Sequence, residues 1–380
     1  MEISPYTVAV PDAVLADLHS RLVNTRWPDS IPNAGWSYGA SLDYMQELVA
    51  YWRDEFDWRA FEARLNAFPQ FTATIDGQNV HLIHVMSPVP SAVPLLLLHG
   101  WPSSPGEFMK LIGPLTDPVA HGGRAEDAVD LIIPSLPGFG FSGPTTEAGW
   151  HPARMADALA ALMTGLGHER FFAHGGDWGS VVASQLALRH PERVKGLHLT
   201  FLMTSGLRPE DGDPTEEESQ LASDQAMYSM TETGYLALHA SKPQTIAYSL
   251  VDSPVGLAAW IVEKLNKWTD NDGDLESVLT KDEILSNITT YWVTATGGSS
   301  GRLYFETAVA GMMGPAIERV EAPVAVAIFP QELYRSTRRI AEHNYNVVRW
   351  TPQQKGGHFP ALEQPELLVA DIRESLRELR

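Results

Sequence analysis

The chain has 380 residues and a net charge of −20, and 44% of its residues are hydrophobic while 19% are charged. This length supports a large core and the composition is that of a globular enzyme, whereas the negative charge argues against nucleic acid, whose phosphates would repel it. No apolar run approaches the roughly 20 residues of a spanning helix, and the absence of cysteine excludes disulfides and thiolate metal sites.

Residues 1–92 are predicted to form an N-terminal extension of helices followed by a hairpin. Apolar residues recur at helical spacing from Pro11 to about Ala67. The segment "FTATIDGQNVHLIHVMS" then predicts two strands around the turn Asp76-Gly77. The opening residues lack the basic start and apolar centre of a signal peptide, so a cytoplasmic location is expected.

Residues 93–201 predict the first part of an α/β core. Short apolar strands such as "VPLLLLHG", "DLIIP", "RFFAHGG" and "VKGLHLTF" alternate with helical segments. That alternation predicts a mostly parallel sheet with helices on both faces and a site at the carboxyl ends of its strands.

Residues 202–304 read as helices and loops and are predicted to form a lid, before the core resumes over 305–380. The resumed core comprises the strands "APVAVAIFP" and "NVVRW" and a closing amphipathic helix. Within the lid, "TDNDGDLES" (269–277) is similar to a calcium loop but lacks its glycine and its final glutamate. A solvated surface loop is therefore expected there, and neither a metal nor a cofactor.

The segment Gly175-Gly176-Asp177-Trp178-Gly179 has the pattern of a nucleophile elbow in which aspartate replaces the usual serine. An aspartate is already ionised at neutral pH. Its attack on a saturated, electrophilic carbon forms an alkyl ester that water can cleave, which favours epoxide opening or carbon–halogen cleavage over ester hydrolysis. The alternative is that Asp177 caps the helix beginning near Ser180.

Two further groups follow in the order nucleophile, acid, histidine that is typical of α/β-hydrolases. His358 in "KGGHFPALEQP" is the predicted general base, and Glu332 in "FPQEL" is the predicted partner that orients the imidazole. Glu321 and Glu342 lie nearby, but only Glu332 closely follows the end of a predicted strand.

Backbone N–H groups complete the predicted site. The N–H of Trp178, directly after the nucleophile, and that of Trp101 in "HGWP" are the candidate oxyanion donors. His99 is expected to organise the backbone of that loop. The aromatic residues Trp101, Phe139 and Trp178 suggest a bulky or aryl substrate.

The motifs "LLLLHGWPSSPGEF", "PSLPGFGFSGP", "HGGDWGS", "FPQEL" and "GGHFPALEQPELL" together resemble microsomal-type epoxide hydrolases of the α/β-hydrolase superfamily. The resemblance covers nearly the whole chain. It implies an α/β-hydrolase fold with a helical lid and an N-terminal extension. It also implies conversion of an epoxide to a vicinal diol through a covalent aspartyl ester, with a small-molecule epoxide and water as the reacting partners.

The resemblance further implies that two lid tyrosines, Tyr235 and Tyr304, activate the epoxide oxygen, because a phenol can donate a hydrogen bond and then a proton to the developing alkoxide. By position alone, Tyr228, Tyr248 and Tyr291 are competitors.

The sequence is similar to soluble bacterial members of the family without the membrane anchor of animal relatives. Such members include enzymes of natural-product pathways, among them enediyne antibiotic biosynthesis, and a catabolic role fits the motifs equally. A homodimer is compatible with the sequence, which leaves the oligomeric state open. The alternative functions are a haloalkane dehalogenase using the same aspartate, with the Trp178 indole as a halide donor, and a non-catalytic binding protein of the same fold.

Overall fold

A single mixed sheet forms the centre of the computed structural model, which describes residues 2–314 and 318–380. Its strands are β1 (Ile3–Tyr6), β2 (Gln70–Ile75), β3 (Gln78–Val85), β4 (Val93–Leu98), β5 (Val129–Pro134), β6 (Phe171–Gly175), β7 (Val194–Leu199), β8 (Val320–Ile328) and β9 (Tyr345–Pro352). They lie in the order β1-β2-β3-β5-β4-β6-β7-β8-β9. From β5 to β9 all pairings are parallel, whereas β1, β2 and β3 add an antiparallel edge. The predicted mostly parallel sheet is confirmed.

The helices follow the alternation expected from the sequence. They are α1 (Asp12–Val23), α2 (Leu42–Asp54), α3 (Trp58–Leu65), α4 (Met109–Thr116), α5 (Pro152–Gly165), α6 (Asp177–Arg189), α7 (Glu216–Thr231), α8 (Gly234–Ser241), α9 (Pro243–Asp252), α10 (Pro254–Trp268), α11 (Lys281–Val293), α12 (Arg302–Val309), α13 (Arg338–Ala341), α14 (Pro360–Glu363) and α15 (Pro365–Leu379). Helices α7 to α12 occupy the stretch predicted to be a lid, and α12 crosses the predicted boundary at residue 304.

Strand β4 shows why the hydrophobic core lies on both faces of the sheet. Its residues Leu95 to Leu98 are all buried and alternate between the faces of the sheet. Leu96 and Leu98 pack with residues of α5 and α6, whereas Leu95 and Leu97 pack with residues of α4 and α15. A continuously apolar strand covered on both faces was expected here, and the structure confirms it.

Strand β1 was not predicted from the sequence. It has only four residues, "ISPY", and pairs with β2 at the edge of the sheet. Such a short strand carries too little alternation to be recognised, and Pro5 is tolerated because an edge strand can lack a donor on one side.

The N-terminal extension braces the lid. Tyr51 of α2 donates a hydrogen bond to Asp282 Oδ1 of α11 over 2.9 Å. Arg21 of α1 reaches Asp252 at the end of α9, with a distance of 3.0 Å between Nη1 and Oδ1. Helices α1 and α2 also pack against α10. The extension therefore holds the lid helices against the body of the protein.

Across residues 2–314 and 318–380, no single helix is both long and apolar enough to cross a bilayer; α9 and α10 meet that test only as a pair, bent by 116°.

The packing of helix α15 against α4 and the sheet can be tested. Ile372 is fully buried among residues of α4 and β8, so Ile372→Ala should lower the free energy of unfolding by about 2–5 kcal/mol through lost burial and a cavity. Chemical denaturation would measure it. The exposed Glu366 of the same helix serves as control, since Glu366→Ala should cost less than about 1 kcal/mol. Equal losses in both variants would contradict the packing.

Candidate active site

Asp177 lies at the tight turn between β6 and α6. Its φ is +45°, a left-handed backbone that a residue with a side chain rarely adopts. The turn can pack closely against β4 because residue 179 is a glycine. A Cβ at this position would overlap the carbonyl of Leu98. The alternative that Asp177 caps the helix is wrong, because Gly176 holds the cap position and no side chain caps α6.

The Asp177 carboxylate is held from two sides. The Trp101 N–H donates a hydrogen bond to Oδ1 over 2.7 Å, and Oδ2 lies 3.3 Å from His358 Nε2. Gly100 makes room for this approach, since a Cβ at that position would overlap the carboxylate. The N–H of Trp178 follows at the start of α6, and within the described residues no hydrogen bond joins it to Asp177. The structure thus brings three of the predicted groups together.

Glu332 and His358 form the other half of the constellation. Glu332 follows β8, and its Oε1 lies 2.5 Å from His358 Nδ1, with both side chains fully buried. The competing carboxylates face elsewhere: Glu321 pairs with an arginine at 2.7 Å and Glu342 with another at 2.8 Å. The imidazole therefore lies between two carboxylates, Asp177 on one nitrogen and Glu332 on the other.

Those two carboxylates control the charge of His358. Burial alone lowers its pKa, but the charge of Glu332 and the contacts with Asp177 outweigh burial and raise the pKa to about 10. The imidazole is consequently protonated at neutral pH. Esterification of Asp177 would remove one of the two charges and lower the His358 pKa toward the range of a useful base.

The loop that carries His358 is fixed by carboxylates that sequence reasoning missed. Glu363 accepts hydrogen bonds from the N–H groups of Gly357 and Phe359, each 2.9 Å long, and from that of Asp270 at 2.7 Å. Burial raises the pKa of Glu363 to about 7, although these bonds oppose the rise. The only sequence signal was a glutamate five residues after the histidine.

The segment 269–277 corrects another expectation. It was predicted to be a solvated surface loop, but Asn271 is buried and Asp270 Oδ2 accepts a hydrogen bond of 2.8 Å from the Gly356 N–H. Its first residues therefore brace the histidine loop, whereas residues 272–274, 276 and 277 face solvent. No cluster of metal-ligating side chains occurs among the residues that the structure describes.

Tyr235 of α8 and Tyr304 of α12 face Asp177 from the lid, with their ring centroids 5.9 Å apart. The Tyr304 hydroxyl is buried without a hydrogen bond of good geometry among the described residues. Burial, reinforced by the charge of Asp177, raises the pKa of both phenols well above the ordinary value, so both remain proton donors. The Lys264 ammonium lies 4.7 Å from the Tyr235 ring centroid, a contact that the sequence did not predict.

The competing tyrosines differ in their surroundings. Tyr248 is 74% exposed, and Tyr291 donates its hydroxyl to the Ser103 carbonyl over 2.6 Å. Tyr228 is near Tyr235, but it does not line the pocket described next. The geometry therefore favours Tyr235 and Tyr304 over the other three.

An apolar pocket of about 560 Å³ lies between Asp177 and the lid. Besides Asp177 and the two phenols, its lining is mainly aromatic and aliphatic: Trp178, Val181, Phe201, Met203, Leu236, Met312, Met313, Leu333 and Tyr334. Trp101 stacks behind Tyr235 at a centroid distance of 5.0 Å. Phe139 does not line the pocket, contrary to expectation, but packs in the core beside His99.

His99 organises the loop before Trp101, as expected. Its Nε2 accepts the Leu136 N–H at 3.1 Å, and its Nδ1 lies 3.0 Å from the Gly100 carbonyl. Burial lowers its pKa to about 4, so the ring is neutral and fits this pair of hydrogen bonds.

The strand order, the elbow and the nucleophile–acid–histidine arrangement define an α/β-hydrolase. Comparison with known proteins agrees: residues 93–228 match the family model for the alpha/beta hydrolase fold, and residues 3–108 match that of the epoxide hydrolase N terminus. The chain belongs to the microsomal-type epoxide hydrolase family, whose members are hydrolases that act on ether bonds.

Several similar proteins support this family assignment. A Stigmatella aurantiaca protein, provisionally named an epoxide hydrolase, is 46% identical over 100% of this chain and 86% of its own length. Epoxide hydrolase 1 of Oryctolagus cuniculus is 37% identical over 97% of this chain and 88% of its own. The Aspergillus niger epoxide hydrolase structure superposes with a TM-score of 0.88 at 28% identity, covering 100% of this chain and 97% of that one.

The charge coupling at His358 can be tested directly. Asp177→Asn keeps the shape of the side chain but removes its charge, so the pKa of His358 should fall relative to the wild-type protein. A ¹⁵N NMR titration of the histidine rings would measure the fall, with His358→Gln used to assign the signal. An unchanged His358 pKa would contradict the coupling.

Proposed function

We propose that this protein converts an apolar epoxide to a vicinal diol through a covalent ester on Asp177. One observation carries the proposal: Oδ1 of Asp177 accepts the Trp101 N–H and Oδ2 lies 3.3 Å from the imidazole, while the residue lines a pocket together with the lid phenols of Tyr235 and Tyr304. The proposed nucleophile Asp177, the phenols that would activate the epoxide oxygen, and the proposed base His358 therefore lie close together, as a two-step displacement requires.

In the first step, Oδ2 of Asp177 attacks a ring carbon and the carbon–oxygen bond of the epoxide breaks. Tyr235 and Tyr304 donate hydrogen bonds to the departing oxygen, which becomes an alcohol by taking up one proton. As Asp177 becomes a neutral ester, the pKa of His358 falls and the imidazole loses a proton. The proton gained by the alcohol balances the proton lost by His358.

In the second step, His358 Nε2 takes a proton from water and the resulting hydroxide attacks the ester carbonyl carbon. The oxyanion forms at Oδ1, where the Trp101 N–H already donates and where we assign the Trp178 N–H as a second donor. Collapse breaks the bond between the carbonyl carbon and Oδ2, and Oδ2 leaves with the substrate and takes the other proton of the water. The products are the diol, the Asp177 carboxylate and the His358 imidazolium, so the resting state is restored.

The composition of the pocket supports a bulky, apolar or aryl epoxide as the substrate class. The side chains around Asp177 are mostly aromatic rings and methionines, which bind through apolar burial and adapt to irregular shapes. Epoxides of this kind present few polar groups apart from the ring oxygen, which the phenols would bind.

The haloalkane dehalogenase alternative receives less support. Trp178 lines the pocket and could donate its indole N–H to a halide, but the lid faces the pocket with two hydroxyls, which suit an epoxide oxygen better than a halide. A non-catalytic role is disfavoured by the presence of nucleophile, acid and base in contact. The roles in secondary metabolism, the cytoplasmic location and homodimer formation stay predictions from the sequence.

The covalent intermediate gives the sharpest test. Asp177→Ala should abolish diol formation, whereas His358→Gln should still be alkylated but stall as the ester, since it lacks the base for the second step. Intact-protein mass spectrometry after addition of styrene oxide should reveal an adduct of one epoxide mass on His358→Gln and none on Asp177→Ala. Halide release from chloroalkanes without any diol formation would favour the dehalogenase instead.

The phenols should act in the first step alone. Tyr235→Phe and Tyr304→Phe should each slow alkylation by about 10²-fold or more, the effect of losing one acid catalyst. Tyr248→Phe, which changes an exposed tyrosine of the same lid, is the matched control and should retain the wild-type rate. Stopped-flow or rapid-quench measurement of ester formation would distinguish them, and wild-type alkylation in both test variants would remove the phenols from the mechanism.

A further inference from the structure

A buried histidine, His239, lies behind the two lid phenols. It follows Tyr235 by one turn of α8, which places both side chains on the same face of the helix. The imidazole is fully buried, yet it does not line the substrate pocket. The proposed reaction steps give it no part, so a buried polar ring at this position needs another explanation.

The imidazole is adjacent to the aromatic rings that surround the phenols. Its ring centroid lies 6.0 Å from that of Tyr235, 5.0 Å from that of Tyr304 and 5.0 Å from that of Trp101. Trp101 and Tyr235 stack with nearly parallel planes, and the imidazole stands edge-on to both. Edge-to-face contacts of this kind favour a defined relative orientation of the rings. His239 therefore supports both phenol rings at once.

One hydrogen bond fixes the imidazole itself. The indole N–H of Trp260, on α10, donates to His239 Nε2 over 3.2 Å. Burial and the Lys264 ammonium lower the pKa of His239 to about 4, so the ring is neutral at pH 7 and Nε2 can accept. The proton of the neutral ring then lies on Nδ1, which is buried without a hydrogen-bond partner among the described residues. Helix α10 thus holds the histidine through a single polar contact.

The imidazole also packs against the helix that carries the second phenol. A Cβ at Gly301, the residue directly before α12, would lie only 3.2 Å from His239 Cδ2, so the glycine permits this close approach. The Tyr304 hydroxyl has no hydrogen-bond partner among the described residues. Contacts of its ring must therefore orient this phenol, and a change at His239 should displace Tyr304 as well as Tyr235.

We propose that His239 is a positioning residue for the alkylation step: its imidazole holds the rings of Tyr235 and Tyr304 so that both hydroxyls converge on the epoxide oxygen. The hydrogen bond from Trp260 keeps the imidazole in place. The inference rests on the proposed two-step function. His239 transfers no proton and touches no substrate, so it acts through the two phenols alone.

The first test measures alkylation by styrene oxide in the full-length protein. The His358→Gln background is used, because the ester should accumulate there and intact-protein mass spectrometry can follow its rise. Adding His239→Ala should slow ester formation by about 10- to 100-fold, since a displacement of about 1 Å can cost a catalytic group this much. His239→Gln keeps an acceptor for the indole N–H and should give a rate between those of histidine and alanine.

Removal of both phenol hydroxyls distinguishes positioning from general packing. In a background with Tyr235→Phe and Tyr304→Phe, no hydroxyl is left to position. His239→Ala should then slow alkylation by less than about threefold further, because effects that act through the same groups are not additive. A residue that only stabilises the fold would slow alkylation by the same factor in both backgrounds.

The anchor of the imidazole provides a second variant, which alters a half-buried residue and keeps an aromatic ring. Trp260→Phe removes the donor and should slow alkylation about 2- to 10-fold, the effect of one net hydrogen bond. It carries the test if His239→Ala does not fold, which thermal unfolding would reveal.

His81→Ala is the matched control. His81 is as fully buried as His239, but it lies on β3 and lines neither of the cavities that Asp177 lines. The variant should lose stability and still be alkylated at the rate of its background.

The outcomes separate the alternatives. An unchanged alkylation rate in both His239→Ala and Trp260→Phe would overturn the positioning role. Equal slowing by His239→Ala with and without the two hydroxyls would also overturn it and leave the histidine as a packing residue. Failure of His358→Gln itself to form any ester would instead refute the two-step function.

Discussion

The site depends on a single constraint, the placement of one carboxylate at a turn that disfavours it. Asp177 adopts φ +45°, and in that conformation its two oxygens meet different partners: the Trp101 N–H on one and the imidazole of His358 on the other. The strain is tolerated because β4, β6 and α6 pack tightly around the turn. A relaxed backbone would aim the side chain away from both partners.

This placement also couples the proposed nucleophile, Asp177, to the proposed base, His358. Two carboxylates raise the pKa of the buried imidazole, so the charge on His358 depends on whether Asp177 is ionised. Under the proposed mechanism, alkylation itself would convert an imidazolium into a base at the moment when a base is required. Glu363 and Asp270 keep the loop of His358 in register by accepting its backbone N–H groups.

Asp177 lines two cavities. One is the mainly apolar pocket beneath the lid, and the other is smaller and is lined by Ser103, Thr200 and His358 among other residues. The extension, through Arg21 and Tyr51, holds the lid helices that complete the apolar pocket.

The sequence by itself determined the parallel core and the hairpin, and it predicted Asp177 as the nucleophile, because continuous apolar strands and the glycines around Asp177 are local patterns. It also predicted His358 and Glu332 as the partners of Asp177, from their order along the chain. Only the tertiary structure decided what depends on residues distant in sequence: the short edge strand β1, the position of Phe139 in the core, and the packing of residues 269–277 beneath the histidine loop. The hydrogen bonds that Glu363 accepts likewise follow from its burial, which the sequence pattern does not encode, since a glutamate is by default a solvated surface residue.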